Sequence, residues 1–264
     1  MNNNYGKYLT QWIKGIASEY RYWNNYFETH KDTEIFRARM SQHPDFTDMS
    51  IIDDSIRNCL DVGAGPISTL GNKLNDRELD LVAIDPLADL YNTILGNYGI
   101  QPYCRTQFGI SECISDFFEK DYFDLVYIRN ALDHSFWPIN AILQMIYVTR
   151  LNHNVVLFHR INEAERRNYG GFHQWNITIE GKNILLWNKT EKININSTLS
   201  YITNIHFFEV KDGEYDAVKI IINKKRNMEK PITLTNEFCK IIFSFFCKFT
   251  LEREDFRKKL AKIS

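Results

Sequence analysis

Six prolines and 12 glycines in 264 residues are too few for a collagenous, proline-rich or linker-dominated chain. Neither sign of charge is in excess: 32 Lys+Arg stand against 33 Asp+Glu, a formal net charge of -1. That balance removes any electrostatic case for nucleic acid or a membrane surface as a bulk partner, and it favours a small-molecule ligand. Five cysteines, at positions 59, 104, 113, 239 and 247, form no CxxC pair and no zinc-type spacing with histidine. Their odd number argues against a disulfide framework, so reduced and mostly buried thiols are expected. No apolar run reaches about 18 residues, the length that would span a membrane. The polar start, Met1 to Tyr5, lacks the basic-then-apolar pattern of a signal peptide, so no membrane span and a cytoplasmic location are expected. There is no internal repeat and no low-complexity tract.

What the chain does have is apolar and aromatic side chains, at 44% and 14% of residues, enough for a large core. The length fits one α/β domain with additions. Tyr5, Trp12, Ile16, Tyr20, Trp23 and Phe27 recur at helical spacing, which predicts one or two helices before Pro44. From Asn58 to Ile161, short β-like runs alternate with helical stretches. The strands expected are 58–62, 79–84, 101–104, 123–128 and 154–158, and the crossovers 68–74, 89–98, 110–118 and 139–150. That rhythm implies a Rossmann-like, twisted, mostly parallel sheet with helices on both faces.

Further strands, 181–187, 206–210 and 215–222, read as late antiparallel additions to the sheet edge, the last two joined at Asp212 and Gly213. Thr235 or Asn236 is an N-cap for a terminal helix packed on the body or on a second subunit, so a homodimer is one expectation. Residues 1–50 thus form a helical cap, 51–225 the core with a substrate loop at 160–180, and 226–264 a C-terminal helical segment of the same domain.

The segment from Asn58 to Ile67 is the most informative. A strand ending in Leu60, Asp61 and Val62 runs into Gly63 and Gly65, which let the backbone turn sharply and approach a ligand. A G-x-G-x-x-G dinucleotide site is matched only in part, since its third glycine position is Ser68. An acid two residues before the first glycine suits a cationic ligand and would repel a pyrophosphate. The next strand ends in Asp85, where a carboxylate can take both ribose hydroxyls of a nucleoside.

These residues resemble the class I S-adenosylmethionine-dependent methyltransferases. Leu60 to Gly65 is similar to the first motif of that family, Ala83 to Pro86 to its second-strand acid, and Phe123 to His134 to its fourth strand and following loop. The resemblance covers roughly residues 55–160. It implies S-adenosyl-L-methionine as cofactor, bound by Asp61, Gly63, Gly65, Asp85 and the backbone near Ile110 and Asn130. The acid that often follows strand three aligns with Ile110, so that backbone or Glu112 is expected at the adenine, and Pro66 is expected to start the helix after the turn. A narrower resemblance joins Glu163 to Asn176, and the aromatic helix Glu19 to Trp23, to methyltransferases of bacterial capsule and lipopolysaccharide loci. It implies O-methylation of a small glycan precursor bearing a sugar or phosphoramidate group.

On the acceptor side, His134 follows strand four, and an imidazole is a side chain suited to removing a proton; His173 lies in a Gly-rich aromatic loop. Both are candidate catalytic residues, and each could equally be a hydrogen-bonded loop anchor. Trp175, Tyr169 and Arg160 are candidate acceptor contacts, with arginine suited to a phosphate or carboxylate. Tyr20, Trp23 and Tyr26 are lid candidates whose bland alternative is helix packing. His159, Glu163, His173 and Asp133 are dense in metal-binding side chains, but no fixed spacing such as HExxH appears, so no metal is expected. Two other functions stay open: a non-catalytic cofactor-binding partner of an active paralogue, and a nucleotide-sugar or NAD-linked enzyme.

Overall fold

The computed structural model describes residues 5–43, 55–74 and 77–233; the expected terminal helix at 235–264 lies outside them. The chain divides into two compact units, Met1–Pro231 and Ile232–Ser264, and every helix and strand among the described residues belongs to the first.

Two helices open the chain, α1 (Tyr5–His30) and α2 (Glu34–Arg39), the second capped by Thr33, whose hydroxyl accepts from Phe36 N. Next come β1 (Asn58–Val62), the two-residue strands β2 (Lys73–Leu74) and β3 (Arg77–Glu78), and β4 (Asp80–Asp85). Helix α3 (Ala88–Asn97), β5 (Gln107–Phe108), β6 (Phe123–Arg129), α4 (Pro138–Val148) and β7 (Thr149–Arg160) complete the alternating part. After α5 (Glu163–Arg166) a small antiparallel sheet forms from β8 (Asn176–Glu180), β9 (Asn183–Trp187) and β10 (Lys192–Asn194). Helix α6 (Ile195–Leu199) leads to the long hairpin β11 (Thr203–Asp212) and β12 (Tyr215–Lys224).

The main sheet runs β11-β12-β7-β6-β1-β4-β5. Numbered along the chain, its strands are ordered 3-2-1-4-5-7-6, with all pairings parallel except those of β12. The dinucleotide-binding order is 3-2-1-4-5-6; here the last strand enters antiparallel between the fifth and sixth. Right-handed crossovers that build outward from β1 in opposite directions put α3 on one face and α4 on the other. The fold is therefore Rossmann-like, mostly parallel, with antiparallel strands added at its C-terminal end.

Burial explains the central strands. All but the last residue of β6 and all but the first of β1 are buried, as strands covered on both faces require. Asp124 fixes their relative register: its carboxylate accepts from the amides of Arg57 and Asn58, both at 2.8 Å, and pairs with Arg150. One face of the sheet packs Cys59, Leu125, Tyr127 and Val156 against Ile56, Leu70, Leu74 and Leu79.

Three sequence expectations change. Residues 68–74 form turns and a two-residue strand rather than a helix, and Pro66 starts no helix. Ser68 Oγ caps Leu70 N, and Gly71 lies directly against the backbone of Gln42, contacts that fix an irregular path. The strand expected at 101–104 forms later, as β5, because Tyr103 donates to Ser68 O and Thr106 to Gly65 O, which holds these residues out of the ladder. Residues 183–187 pair within the small sheet and not at the main edge. Among the described residues, no helix is long and apolar enough to cross a membrane, and Cys59, Cys104 and Cys113 are free thiols.

Removing the Asp124 carboxylate leaves two partly buried amides and the Arg150 guanidinium without their acceptor. Asp124→Ala is expected to cost about 3 kcal/mol, measured as a lower urea midpoint with an unchanged m-value.

Candidate functional site

Gly63 and Gly65 both adopt left-handed backbone, with φ of 66° and 63°. The amides of Gly63 and Ala64 donate to Ile84 O at 2.8 and 3.1 Å, which ties the turn to the end of β4. A Cβ on Gly63 would lie 2.5 Å from Cβ of Ala131, on the loop after β6. That contact sits where strand order reverses between β1 and β6, the place where open α/β sheets form their ligand crevice.

The two acids flank this turn. Asp61 is 2% exposed and accepts from Ser68 Oγ at 2.5 Å. Asp85 is 7% exposed and accepts from Leu87 N at 2.8 Å and Gly65 N at 3.2 Å. Burial pushes both carboxyls up to about 7, against the hydrogen bonds that favour their ionised forms. Glu19 and Asp61 raise Asp85 further, whereas Arg39 and Arg129 hold Asp61 down. The expected adenine contact Glu112 is committed elsewhere, accepting from Ser135 Oγ and the amides of Phe136 and Trp137. Ile110 is buried, and its carbonyl accepts from Cys113 N. Asn130, with φ of 48°, accepts from Arg160 N and donates to Asp212.

Helix α1 runs over both halves of the site. Trp23 lies against Gly65, 3.2 Å from where a Cβ would stand, and donates to Glu19 at 2.7 Å. Tyr91 also donates to Glu19, and the Arg39 guanidinium stacks on the Trp23 ring. Further back on the helix, Gly15 makes room for Phe172, Trp12 stacks on Phe172 at 5.3 Å, and Tyr8 meets Trp175 at 5.1 Å. At a rise of about 1.5 Å per residue, Tyr8 and Trp23 are roughly 22 Å apart along the axis.

Between the loop after β6 and the loop after α5 the structure brings His134 and His173 together, their rings 4.7 Å apart. Asp133, one of the acids of the His- and carboxylate-rich cluster expected from the sequence, joins them: its Oδ2 is 2.6 Å from His173 Nδ1 and 3.6 Å from His134 Nε2. Burial disfavours a charged His173, but the hydrogen bond and charge of Asp133 outweigh it and raise its pKa. Asp133 is shifted the opposite way, since the nearby histidines overcome a burial effect that would raise it. Burial lowers His159 to about 4, and neither of its ring nitrogens has a hydrogen-bond partner.

The remaining candidates are occupied. Trp175 is 2% exposed and donates to Ser135 O, so it buttresses the loop and is not an open pocket wall. Arg160 pairs with Asp212 at 2.6 Å and lies over the Tyr215 ring. Tyr169 accepts from Asn176 through its hydroxyl and carries Lys189 over its ring.

No protein-family model matches the sequence, and no curated protein matches it. Solved structures similar to it include the PH0226 protein of Pyrococcus horikoshii, at 13% identity and a TM-score of 0.47, covering 76% of this chain and 96% of that one. The N-methyltransferase NodS of Bradyrhizobium japonicum is 15% identical with a TM-score of 0.42, covering 76% and 98%. An S-adenosylmethionine-dependent methyltransferase of Clostridium acetobutylicum is 10% identical with a TM-score of 0.43, covering 78% and 98%. The fold is read from the sheet's own strand order.

Gly63→Ala combines a left-handed backbone with a Cβ clash. It is expected to destabilise the protein by at least about 1–3 kcal/mol, read by chemical denaturation, whereas Gly99→Ala, with open space around it, costs only the backbone strain.

Proposed function

We propose that this chain is a methyltransferase that uses S-adenosyl-L-methionine and O-methylates a small sugar- or phosphoramidate-bearing precursor of a bacterial surface polysaccharide. The observation that carries the reading is the pair of buried acids, Asp61 and Asp85, beside a left-handed glycine turn at the crevice. A cationic nucleoside suits them: an ammonium and a sulfonium beside Asp61 would offset a carboxylate that is costly to ionise without a cation, and ribose hydroxyls would donate to Asp85. A pyrophosphate fits worse, because such ligands use a helix N-terminus after the turn, and residues 66–72 form none. In this reading Asp61, Gly63, Gly65, Asp85 and the backbone near Ile110 and Asn130 hold the cofactor, with Trp23 as its cover.

Methyl transfer is an in-line displacement, so the protein's work is to align acceptor oxygen, methyl carbon and sulfur, and to take up the acceptor proton. Asp133 holds the Nδ1 side of His173, which leaves Nε2 as the basic nitrogen, and His134 lies beside it. Tyr169 and Arg160 border the acceptor side, and Trp175 supports its loop from behind. The capsule assignment rests on the resemblance at 163–176 and 19–23, and a cytoplasmic site of action goes with such a precursor.

One observation favours a second reading, a cofactor-binding or assembly protein without turnover: Trp23 covers Gly65, and both Asp85 oxygens already accept backbone hydrogen bonds. Calorimetric titration with S-adenosylhomocysteine and S-adenosylmethionine separates the two. Saturable binding is expected, at least tenfold weaker in Asp85→Ala; no saturable binding to wild type would sink the cofactor assignment. His134→Ala and His173→Ala are expected to lower turnover by about 10²-fold or more with cofactor affinity retained. Binding without turnover on any glycan precursor supports the second reading.

The two raised acids also set a pH dependence. A carboxyl protonated in the folded protein up to about 7 but only to about 3.9 when unfolded makes stability fall as pH rises between those values. A cationic ligand needs the ionised form, so its affinity is expected to strengthen with pH below about 7, approaching tenfold per unit for each proton released. Affinity that is flat from pH 5.5 to 7.5 would contradict that coupling.

A further inference from the structure

The loop after β6 and the loop after α5 meet at a cluster that methyl transfer alone does not explain. We propose that Asp133, His134 and His173 bind a divalent transition-metal ion, zinc in the first instance. One donor atom from each residue lies within 4.8 Å of the other two. Tetrahedral zinc with bonds of about 2.0–2.1 Å holds its ligand atoms roughly 3.3 Å apart. The Asp133 Oδ2 to His134 Nε2 spacing of 3.6 Å is already near that value. The Asp133 Oδ2 to His173 Nδ1 spacing of 2.6 Å is a hydrogen bond that opens by less than about 1 Å when an ion replaces the proton.

The site is built, because the two loops are fastened around it. Gln174 N and Trp175 N donate to Asp133 O at 2.9 and 3.2 Å, Gln174 Nε2 to His134 O at 3.3 Å, and Trp175 Nε1 to Ser135 O at 2.9 Å. Asp133 itself is 4% exposed. A second observation is independent of the spacing: His134 Nε2 is shut off from solvent and has no hydrogen-bond partner. A buried polar atom in that state calls for a ligand. His159, also buried and unpartnered at both nitrogens, lies within electrostatic reach of Asp133 and His134 and adds a neutral imidazole to the surroundings.

The donor set selects the ion. Two imidazoles and one carboxylate suit zinc and its first-row neighbours, while magnesium and calcium favour all-oxygen sites. Three protein donors leave a coordination position open, as in sites where an ion takes an oxygen of water or substrate. Occupancy and a base at His173 exclude each other, since a metal on Nδ1 fixes the remaining hydrogen on Nε2. Metal binding here needs no cofactor, so it stands or falls apart from the methyl-transfer reading.

The test uses the full chain, stripped with chelator, dialysed, and titrated with zinc and separately with magnesium in the absence of any nucleoside. Calorimetry and elemental analysis after desalting are expected to give about one zinc per chain and no retained magnesium. His134→Ala and His173→Ala are each expected to weaken zinc binding more than about tenfold, with circular dichroism showing both metal-free variants folded; His173→Ala is expected to melt below wild type because Asp133 loses its hydrogen-bond partner. The half-buried histidines are used because Asp133→Ala risks the loop itself. Cobalt(II) in place of zinc should give visible d–d absorption that both variants lose. Substoichiometric zinc in wild type, magnesium bound as tightly as zinc, or unchanged zinc uptake in both variants would overturn the proposal.

Discussion

The close approach of Gly63 to Ala131 is the constraint on which the site depends. A left-handed residue at the end of β1 lets that strand's exit and the loop after β6 touch without a side chain between them. Because the chain builds in one direction from β1 to β4 and β5, and in the other from β6 to β7, this contact lies at the floor of the crevice. Asp61 and Asp85 sit on one side of it, and Asp133, His134 and His173 on the other. The acids are buried because the turn is tight, and burial in turn makes their charge expensive and a cationic ligand useful.

Much of this was legible in the sequence. Residues 58–62 and 123–128 are short apolar runs bounded by polar turns, and they form β1 and β6 nearly as expected. Gly63, Gly65 and Asp85 stand out because glycine and acid at a strand end have little packing reason to be there, and the structure groups all three at one turn. Elements whose form depends on distant partners were not legible. Residues 68–74 carry helical spacing, but tertiary contacts from Ser68 and Gly71 override that weak local preference. The Asp133–His173 pair joins residues 40 positions apart, and no periodicity announces a hydrogen bond of that kind. Glu112, an attractive ligand for adenine on position alone, is taken by Ser135, Phe136 and Trp137, which sequence spacing could not reveal.

The histidine side of the crevice is held differently from the glycine-turn side. Around Gly63 the backbone does the holding, through amides donated to Ile84 O and to Asp85. Around His173 the fastening comes from a loop stitched to another loop, with Phe172 and Trp175 as apolar pegs set into α1. Loops vary without disturbing the sheet that carries them. The segment from Glu163 to Asn176 can therefore change in sequence without a change at the glycine turn.

Helix α1 gives the molecule a stiff lever. Its 26 residues are continuous, with Trp23 pressed on Gly65 at one end and Trp12 and Gly15 pressed on Phe172 nearer the other. An unbroken helix transmits a tilt along its length instead of absorbing it at a hinge. Displacing the indole from the turn is thus coupled to the packing of Trp12 and Gly15 on Phe172, and through Phe172 to the histidine loop.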